Sequence, residues 1–128
     1  MQLTPIDLFS RGVRMLPDGQ VFDEQRRMSG DIDGWTMATF HVETDADAHG
    51  DHWEIHPHGQ ELVAVLTGGI RMYLRPETPG AEEDSVSIGP GEAYIVPQNR
   101  WHRIELDKPT DLMSVTLRRG TRLTPRDE

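Results

Sequence analysis

The sequence predicts an all-β protein, folded as a sandwich or a barrel. Short apolar or alternating runs follow one another along the chain, separated by glycine, proline and acidic clusters. No segment keeps the 3.6-residue apolar spacing of an amphipathic helix. The 12 glycines and 9 prolines among 128 residues supply the frequent turns that such a fold requires.

Eight runs are predicted as strands, and their order follows the chain. They are residues 35–42, 52–56, 61–67, 70–75, 86–88, 93–97, 101–106 and 111–119. Gly68 and Gly69 predict a tight hairpin turn between the third and fourth runs. Residues 3–9 are predicted as a short helical turn or an edge segment, and the polar stretch 76–85 as a solvated loop.

The length predicts a single domain over residues 1–128. Residues 1–34 are expected to form an N-terminal arm with the first strands. Residues 35–119 are expected to form the core, and residues 120–128 a polar tail. No repeat or linker divides the chain.

Composition argues against several classes of partner. The 22 acidic and 13 basic residues give a net charge of −9, which disfavours binding to nucleic acid or to an anionic membrane. The chain has no cysteine, so disulfides, thiolate metal sites and a cysteine nucleophile are excluded. No apolar run approaches the ~20 residues of a membrane span. With no recognisable signal peptide, a cytoplasmic location is expected.

Metal-ligating side chains are concentrated at two places in the sequence. Glu54, His56, His58 and Glu61 lie close together, and His102 follows Pro97 by five residues. Imidazoles and carboxylates brought together from separate strands are suitable ligands for a divalent transition metal.

The same two stretches resemble the paired motifs of the cupin superfamily, over residues 50–106. Glu61 and Gly68 match the closing spacing of the first motif, and Gly91, Pro97 and His102 match the second. The second motif departs at two positions. Asn99 replaces a glycine, a mild change because asparagine tolerates a left-handed turn, and Leu106 replaces an asparagine. The resemblance implies a double-stranded β-helix, or jelly-roll, barrel with a short N-terminal extension.

The first motif fits the family in two registers. In one, His56 and His58 form the His-x-His pair, but only two residues then precede Glu61. In the other, His56 is the second histidine and Glu54 takes the place of the first. A hairpin with the four-residue loop 57–60 favours the second register, because Pro57 then lies outside the strand ladder.

Both registers share His56, Glu61 and His102 as metal ligands, and either Glu54 or His58 completes the set. Two imidazoles with carboxylate ligands suit Fe(II), and Mn, Ni, Co or Zn also fit. If Glu61 points inward, alternation along the strand places Val63 on the same apolar face.

Other polar residues are weaker candidates. Glu54, His58 and Tyr94 are candidate catalytic groups, and Arg103 is a possible anion-holding group, although an ordinary place in a sheet suits Tyr94 and Arg103 better. The remaining histidines, His41, His49 and His52, are predicted to be structural, although His52 shares its strand face with Glu54 and His56 and could line the mouth of the site. Trp53 and Trp101, beside the expected ligands, are predicted to be packing or interface residues.

The resemblance implies a metal-dependent enzyme of the dioxygenase, isomerase or lyase kind, acting on a small oxygen-bearing organic molecule. The alternative is a non-catalytic small-ligand-binding or sensor protein whose metal is structural or absent. A sugar-modifying epimerase or isomerase is a third, weaker possibility, because a sugar nucleotide would require more basic residues. Pairing as a homodimer is a further expectation from the resemblance.

Overall fold

The computed structural model describes residues 3–27 and 32–127, and these are almost entirely β-structure. These residues form nine strands and one short 3-10 turn at Asp45–Ala48. The strands are β1 Arg11–Met15, β2 Val21–Gln25, β3 Trp35–Val42, β4 His52–Ile55, β5 Glu61–Leu74, β6 Asp84–Ile88, β7 Ala93–Val96, β8 His102–Thr116 and β9 Arg122–Pro125. The predicted all-β class is confirmed. Within the described residues, no helix is long and apolar enough to span a membrane.

Two long strands organise the sheet. β5 and β8 pair antiparallel over most of their length, from Leu62 opposite Val115 to Leu74 opposite His102. On its other side β8 pairs with β3, which continues through β1 to β2. β6 and β7 both pair with β5, while β4 lies between β8 and β9. Within the described part of the chain this ladder stays open and does not close into a complete barrel.

The core lies where β5, β8 and their neighbours turn their apolar faces towards each other. Its buried members are Val42, Val63, Val65, Ile70, Met72, Ile88, Val96 and Leu112. Val63 is buried, as the alternation from Glu61 predicts, and Val65, two residues further along the strand, is buried with it. Most of these residues are β-branched, which suits the pleated surface of a strand.

The predicted hairpin turn at Gly68-Gly69 is wrong. These glycines lie inside β5, which runs unbroken from Glu61 to Leu74 and shifts its register against β8 around them. Gly68 has a φ of 95°, and a Cβ there would lie 2.4 Å from Thr110 Oγ1. A two-glycine segment therefore produces a bulge here, where two backbones approach closely, and not a reversal of the chain.

Three other local predictions also need correction. The runs 101–106 and 111–119 join into the single strand β8, because Lys108 to Thr110 continue the ladder between them. The expected polar tail contains β9, which pairs with β4. Residues 3–9 form neither a helix nor a strand, although a turn begins at Leu8. The expected early strands are present as the hairpin of β1 and β2.

Candidate metal centre

Four of the predicted ligands converge at one point of the structure. Glu54, His56, Glu61 and His102 each offer one ligand atom, and these atoms all lie within 4.8 Å of one another. His56 Nε2 is 3.2 Å from Glu54 Oε1 and 3.3 Å from Glu61 Oε1. His102 Nε2 is 3.4 Å and 3.1 Å from the same two oxygens. This geometry matches the register that includes Glu54.

Three strands bring these side chains together. Glu54 on β4 lies directly opposite His102 at the start of β8. His56 follows Glu54 by two residues, so strand alternation places it on the same face. Its carbonyl accepts a hydrogen bond from the backbone N–H of Asn99, at 3.0 Å. Asn99 adopts the left-handed conformation that its position in the motif predicts, with a φ of 62°.

The hairpin that favoured this register on sequence grounds is absent from the described residues. β4 pairs with β8 and β9, and not with β5. Pro57 nonetheless lies outside the strands, and the connection 56–60 is held by Gln98, whose side-chain Nε2 donates to the Pro57 carbonyl at 2.9 Å. The argument from proline is therefore sound, whereas the argument from a hairpin loop is not.

The sides of the ligands that face away from the cluster are held by the protein. His56 Nδ1 lies 2.8 Å from Thr121 Oγ1, and Thr116 Oγ1 donates to Glu61 Oε2 at 2.6 Å. His102 Nδ1 points to the carbonyl of Arg100, 3.4 Å away. Outer contacts of this kind fix the ring and carboxylate orientations that a metal requires.

An unmatched buried nitrogen supports a cation at this point. His56 is 2% exposed, and its Nε2 has no well-oriented hydrogen bond despite the neighbouring carboxylates. The donor set of two imidazoles and two carboxylates suits a divalent transition metal. The residues present therefore fit such an ion.

The electrostatics of the four side chains are strongly coupled. Burial opposes charge on every member, but the close contacts of His102 and His56 with the Glu54 carboxylate lower the pKa of Glu54 to about 2. The same carboxylates raise the pKa of His102 to about 10, against the effect of burial. In the same way, the pKa of Glu61 falls well below its usual value and that of His56 rises. The carboxylates are thus ionised at neutral pH, and an ion that binds here must displace the protons of the two imidazoles.

Three members of the cluster, Glu54, Glu61 and His102, line a cavity of about 570 Å³. Glu54 is the most accessible of the three, with 26% of its side chain exposed, against 5% for Glu61 and 5% for His102. The other lining residues are Phe40, Val42, Asp47, Ala48, His49, His52, Val63, Met72, Arg103, Ile104, Leu112, Ser114, Arg118, Gly120, Thr121 and Leu123. One wall is therefore apolar, and polar groups surround the rest.

The remaining sequence candidates lie outside the metal cluster. His58 is exposed in the loop after β4, where its ring packs near Gly120, and it does not belong to the cluster. Tyr94 borders a separate small hollow with Met72 and Val86, so its suggested acid–base role has no geometric support. His49 and His52, expected to be structural, line the cavity.

Arg103 lies within β8 and packs inside the protein, which agrees with the ordinary place in a sheet that the sequence favours. Its guanidinium lies 5.2 Å from the centre of the Trp53 ring and forms ion pairs with Glu83 and Glu105. Trp53 is buried, in line with its expected packing role.

Three residues that complete the site were missed at the level of sequence. Thr116 and Arg118 follow Leu112 at two-residue intervals, so the alternation of the last predicted strand was a usable signal for both. Thr121 carries no such signal, because its position depends on how the chain turns between β8 and β9.

Comparison with known proteins supports the fold. No family model matches the sequence, and no curated protein matches it. The solved structures that match include oxalate decarboxylase from Lactobacillus farciminis in a formate complex, at 13% identity and a TM-score of 0.53. A cupin-2 domain protein from Shewanella frigidimarina matches at 17% identity with a TM-score of 0.50. Bacillus subtilis oxalate decarboxylase, described with Mn(II) centres, matches at 18% and 0.53.

The chain corresponds to about a quarter of each oxalate decarboxylase and to most of the cupin-2 domain protein. The three matches cover 73%, 78% and 73% of this chain, in the same order. The chain spans 27% of the Lactobacillus protein and 24% of the Bacillus protein, against 78% of the Shewanella protein. At these identities the shared feature is the fold.

Proposed function

Since the chain has the cupin fold, we propose that it is a metal-dependent enzyme acting on a small oxygen-bearing organic molecule. The observation that carries the proposal is the convergence of Glu54, His56, Glu61 and His102 at a cavity that three of them line. Fe(II), Mn, Ni, Co and Zn all suit this donor set. When bound, such an ion supplies Lewis acidity or the activation of dioxygen.

The residues of the chain divide the work between binding and orientation. His56, Glu61 and His102 are almost fully buried and hold the ion, while Thr116 and Thr121 fix the orientation of Glu61 and His56. Glu54 also faces the cavity, so it serves as the fourth ligand or as a nearby base. The apolar wall formed by Phe40, Val63 and Met72, among others, excludes water from one side of a bound molecule.

The second candidate is a non-catalytic protein that binds or senses a small ligand. The presence of Glu54 where the family motif has a histidine favours it, because a changed ligand set often accompanies a changed activity. In this case the same cavity binds a molecule without converting it.

Metal content tests the first proposal. Protein purified without chelators or affinity metals should contain close to one transition-metal ion per chain, measured by elemental analysis. Glu61→Gln and His102→Ala should lose the ion, while His41→Ala, a surface histidine outside the cluster, should keep it. A wild-type protein that remains metal-free after addition of Fe(II), Mn(II) or Zn(II) would refute the proposal.

A substrate screen separates the two candidates. Catechols, diketones and thiols are incubated with metal-loaded protein, and oxygen uptake and products are followed. Metal-dependent turnover with oxygen uptake indicates an oxygenase, and turnover without it indicates Lewis-acid chemistry. Saturable binding without turnover across the screen indicates the binding protein instead.

A further inference from the structure

Arg118 adds a guanidinium group to the lining of the cavity beside the metal cluster. Leu112, Ser114 and Thr116 alternate inward along β8, and Leu112 and Ser114 line the cavity while Thr116 binds Glu61. Arg118 continues this parity just beyond the strand and lines the same cavity. Two residues of extended chain span ~7 Å, so Arg118 lies one such step from the residue that holds a metal ligand.

The charge of Arg118 is buried without a matching carboxylate. Arg118 is 5% exposed, and its Nε atom has no hydrogen-bond partner. Across residues 3–27 and 32–127, no carboxylate forms an ion pair with it. A buried guanidinium in this condition is unfavourable unless an anion compensates it.

Arg103 provides a contrast within the same cavity wall. Its guanidinium contacts the Tyr73 ring at 4.1 Å and pairs with both Glu83 and Glu105, so its charge is compensated by the protein. Arg118 has no such pairing among the described residues, and its charge is available to a molecule in the cavity.

A bound metal would leave the charge of Arg118 without a counterion in the cluster. A divalent ion held by Glu54 and Glu61 has a net charge of zero with its two carboxylates, because the histidines bind it as neutral imidazoles. The positive charge of Arg118 is then paired with no described carboxylate, since neither Glu54 nor Glu61 forms an ion pair with it. Asp47, the remaining carboxylate in the lining, faces the backbone N–H groups of Glu43 and Thr44.

We propose that Arg118 binds the carboxylate of a small organic acid whose apolar part packs against the wall formed by Phe40, Val63 and Leu112. The planar fork of arginine matches a carboxylate with two parallel hydrogen bonds. This inference deepens the proposed function by naming the substrate class, and it rests on that function for the role of the metal. It makes Arg118 a determinant of specificity towards organic acids.

The test compares carboxylates with their neutral amides. Benzoate and benzamide, and butyrate and butyramide, are titrated by NMR into full-length protein loaded with Mn(II) or stripped of metal. Wild-type protein should bind each acid better than its amide, and Arg118→Gln should weaken acid binding about tenfold or more without changing amide binding. Arg118→Lys keeps the charge but not the planar fork, so its affinity for each acid should lie between those of the wild type and Arg118→Gln.

Arg119→Gln is the matched control. Arg119 is the next residue, is 44% exposed and pairs with Asp33, so its loss should leave acid binding unchanged. Mn(II) should also broaden the proton signals of bound benzoate, because the cluster and Arg118 share one cavity. Circular dichroism and thermal melting show whether each variant is folded. If Arg118→Gln does not fold, Arg118→Lys takes its place in the comparison.

Each outcome bears on one of the two proposals. Equal binding of acids and amides by wild-type protein, equal acid binding by Arg118→Gln, an equal loss in Arg119→Gln, or benzoate signals unaffected by Mn(II) would each overturn the role of Arg118. A protein that takes up no metal but still binds acids through Arg118 would refute the proposed metal enzyme and leave the anion site standing. A protein that takes up metal but shows no preference for acids would refute the anion site at Arg118 and leave the proposed metal enzyme standing.

Discussion

At the scale of single residues, the two threonines behind the ligands determine what the cluster can hold. Thr121 contacts the ring of His56, and Thr116 donates to Glu61. When His56 Nε2 binds an ion, its Nδ1 must carry the proton and donate it to Thr121 Oγ1. Each threonine therefore selects the protonation state and the orientation that metal binding requires.

Loss of the Thr121 hydroxyl should weaken metal binding. Thr121→Val keeps the shape of the side chain but removes the acceptor for His56, and we expect the affinity for Mn(II) to fall about 10–100-fold. Isothermal titration calorimetry measures this. Thr67→Val is the control, because Thr67 donates to the surface carboxylate of Asp111, away from the cluster. Unchanged affinity in Thr121→Val would show that the ring needs no such support.

The two registers of the first motif differ in one testable residue. Glu54→Ala removes an oxygen within 3.4 Å of both histidines, so it should lower metal affinity by about 100-fold or more. His58→Ala should leave the affinity unchanged, because His58 is exposed in the loop. Metal content after dialysis gives the comparison. A loss of metal in His58→Ala alone would reverse the assignment.

At this scale most of the metal-ligating residues could be predicted from the sequence, but the hydrogen bonds that hold them could not. His56, Glu61 and His102 follow from motif spacing, and Glu54 from the position of Pro57. The contacts of Thr121 depend on a turn of the chain after β8 that local pattern does not encode. Long-range contacts of this kind become visible only in the folded chain.

At the scale of elements, the length of β5 and β8 is the main departure from expectation. Each was predicted as two short strands, because Gly68-Gly69 and Pro109 are residues that usually end strands. In the structure these two breaks face each other. Thr110 Oγ1 accepts a hydrogen bond from the Gly69 N–H at 3.0 Å and donates to the Gly69 carbonyl at 3.2 Å. Pairing between β5 and β8 thus keeps both strands continuous at residues that usually end a strand.

Substitution of Gly68 should reveal this close approach. Gly68→Ala introduces a Cβ 2.5 Å from the Pro109 carbonyl oxygen in a left-handed backbone, and we expect a loss of about 3 kcal/mol in the free energy of unfolding. Gly80→Ala is the control, with a φ of 84° but open space around it, and should lose about 1 kcal/mol. Urea denaturation of both variants measures the difference. Equal losses would mean that the contact at Gly68 relaxes freely.

His41 links β3 to β8 in a pH-dependent way. Its pKa is raised above 6.5 by hydrogen bonding to Glu43 and then to Asp111, its partner across the two strands. Because the folded protein binds this proton more tightly than the unfolded chain, the added stability is complete below pH 6.5. It is lost as the pH rises through the folded-state pKa.

NMR titration of the His41 ring tests this link. The midpoint should lie above 6.5 in the wild type and fall towards 6.5 in Asp111→Asn. Asp18→Asn, in the turn between β1 and β2, should leave the His41 midpoint unchanged. A midpoint at or below 6.5 in the wild type would contradict the ion pairs of His41.

At the scale of the whole molecule, the fold class could be predicted and the strand connections could not. Alternating apolar runs and turn residues indicate β-structure directly. They do not indicate that β4 leaves its neighbour β5 to pair with β8 and β9. That crossing places Glu54 opposite His102, so the cluster is a product of topology as well as of motif spacing.

The distribution of charge is also a property of the whole chain. The net charge is −9, yet the cavity lining includes Arg118 beside a cluster that suits a cation. An overall acidic protein can therefore present the positive charge of one arginine to a small anion in its cavity. Pairing as a homodimer and a cytoplasmic location remain predictions of the sequence.

Diffraction from crystals grown with Mn(II), recorded on both sides of the manganese absorption edge, tests the central claim most directly. The account predicts one anomalous peak per chain at the centre of Glu54, His56, Glu61 and His102, ~2.0–2.3 Å from one ligand atom of each. His58 should lie outside the coordination sphere. Absence of a peak at this cluster, or a peak held by other residues, would contradict the account.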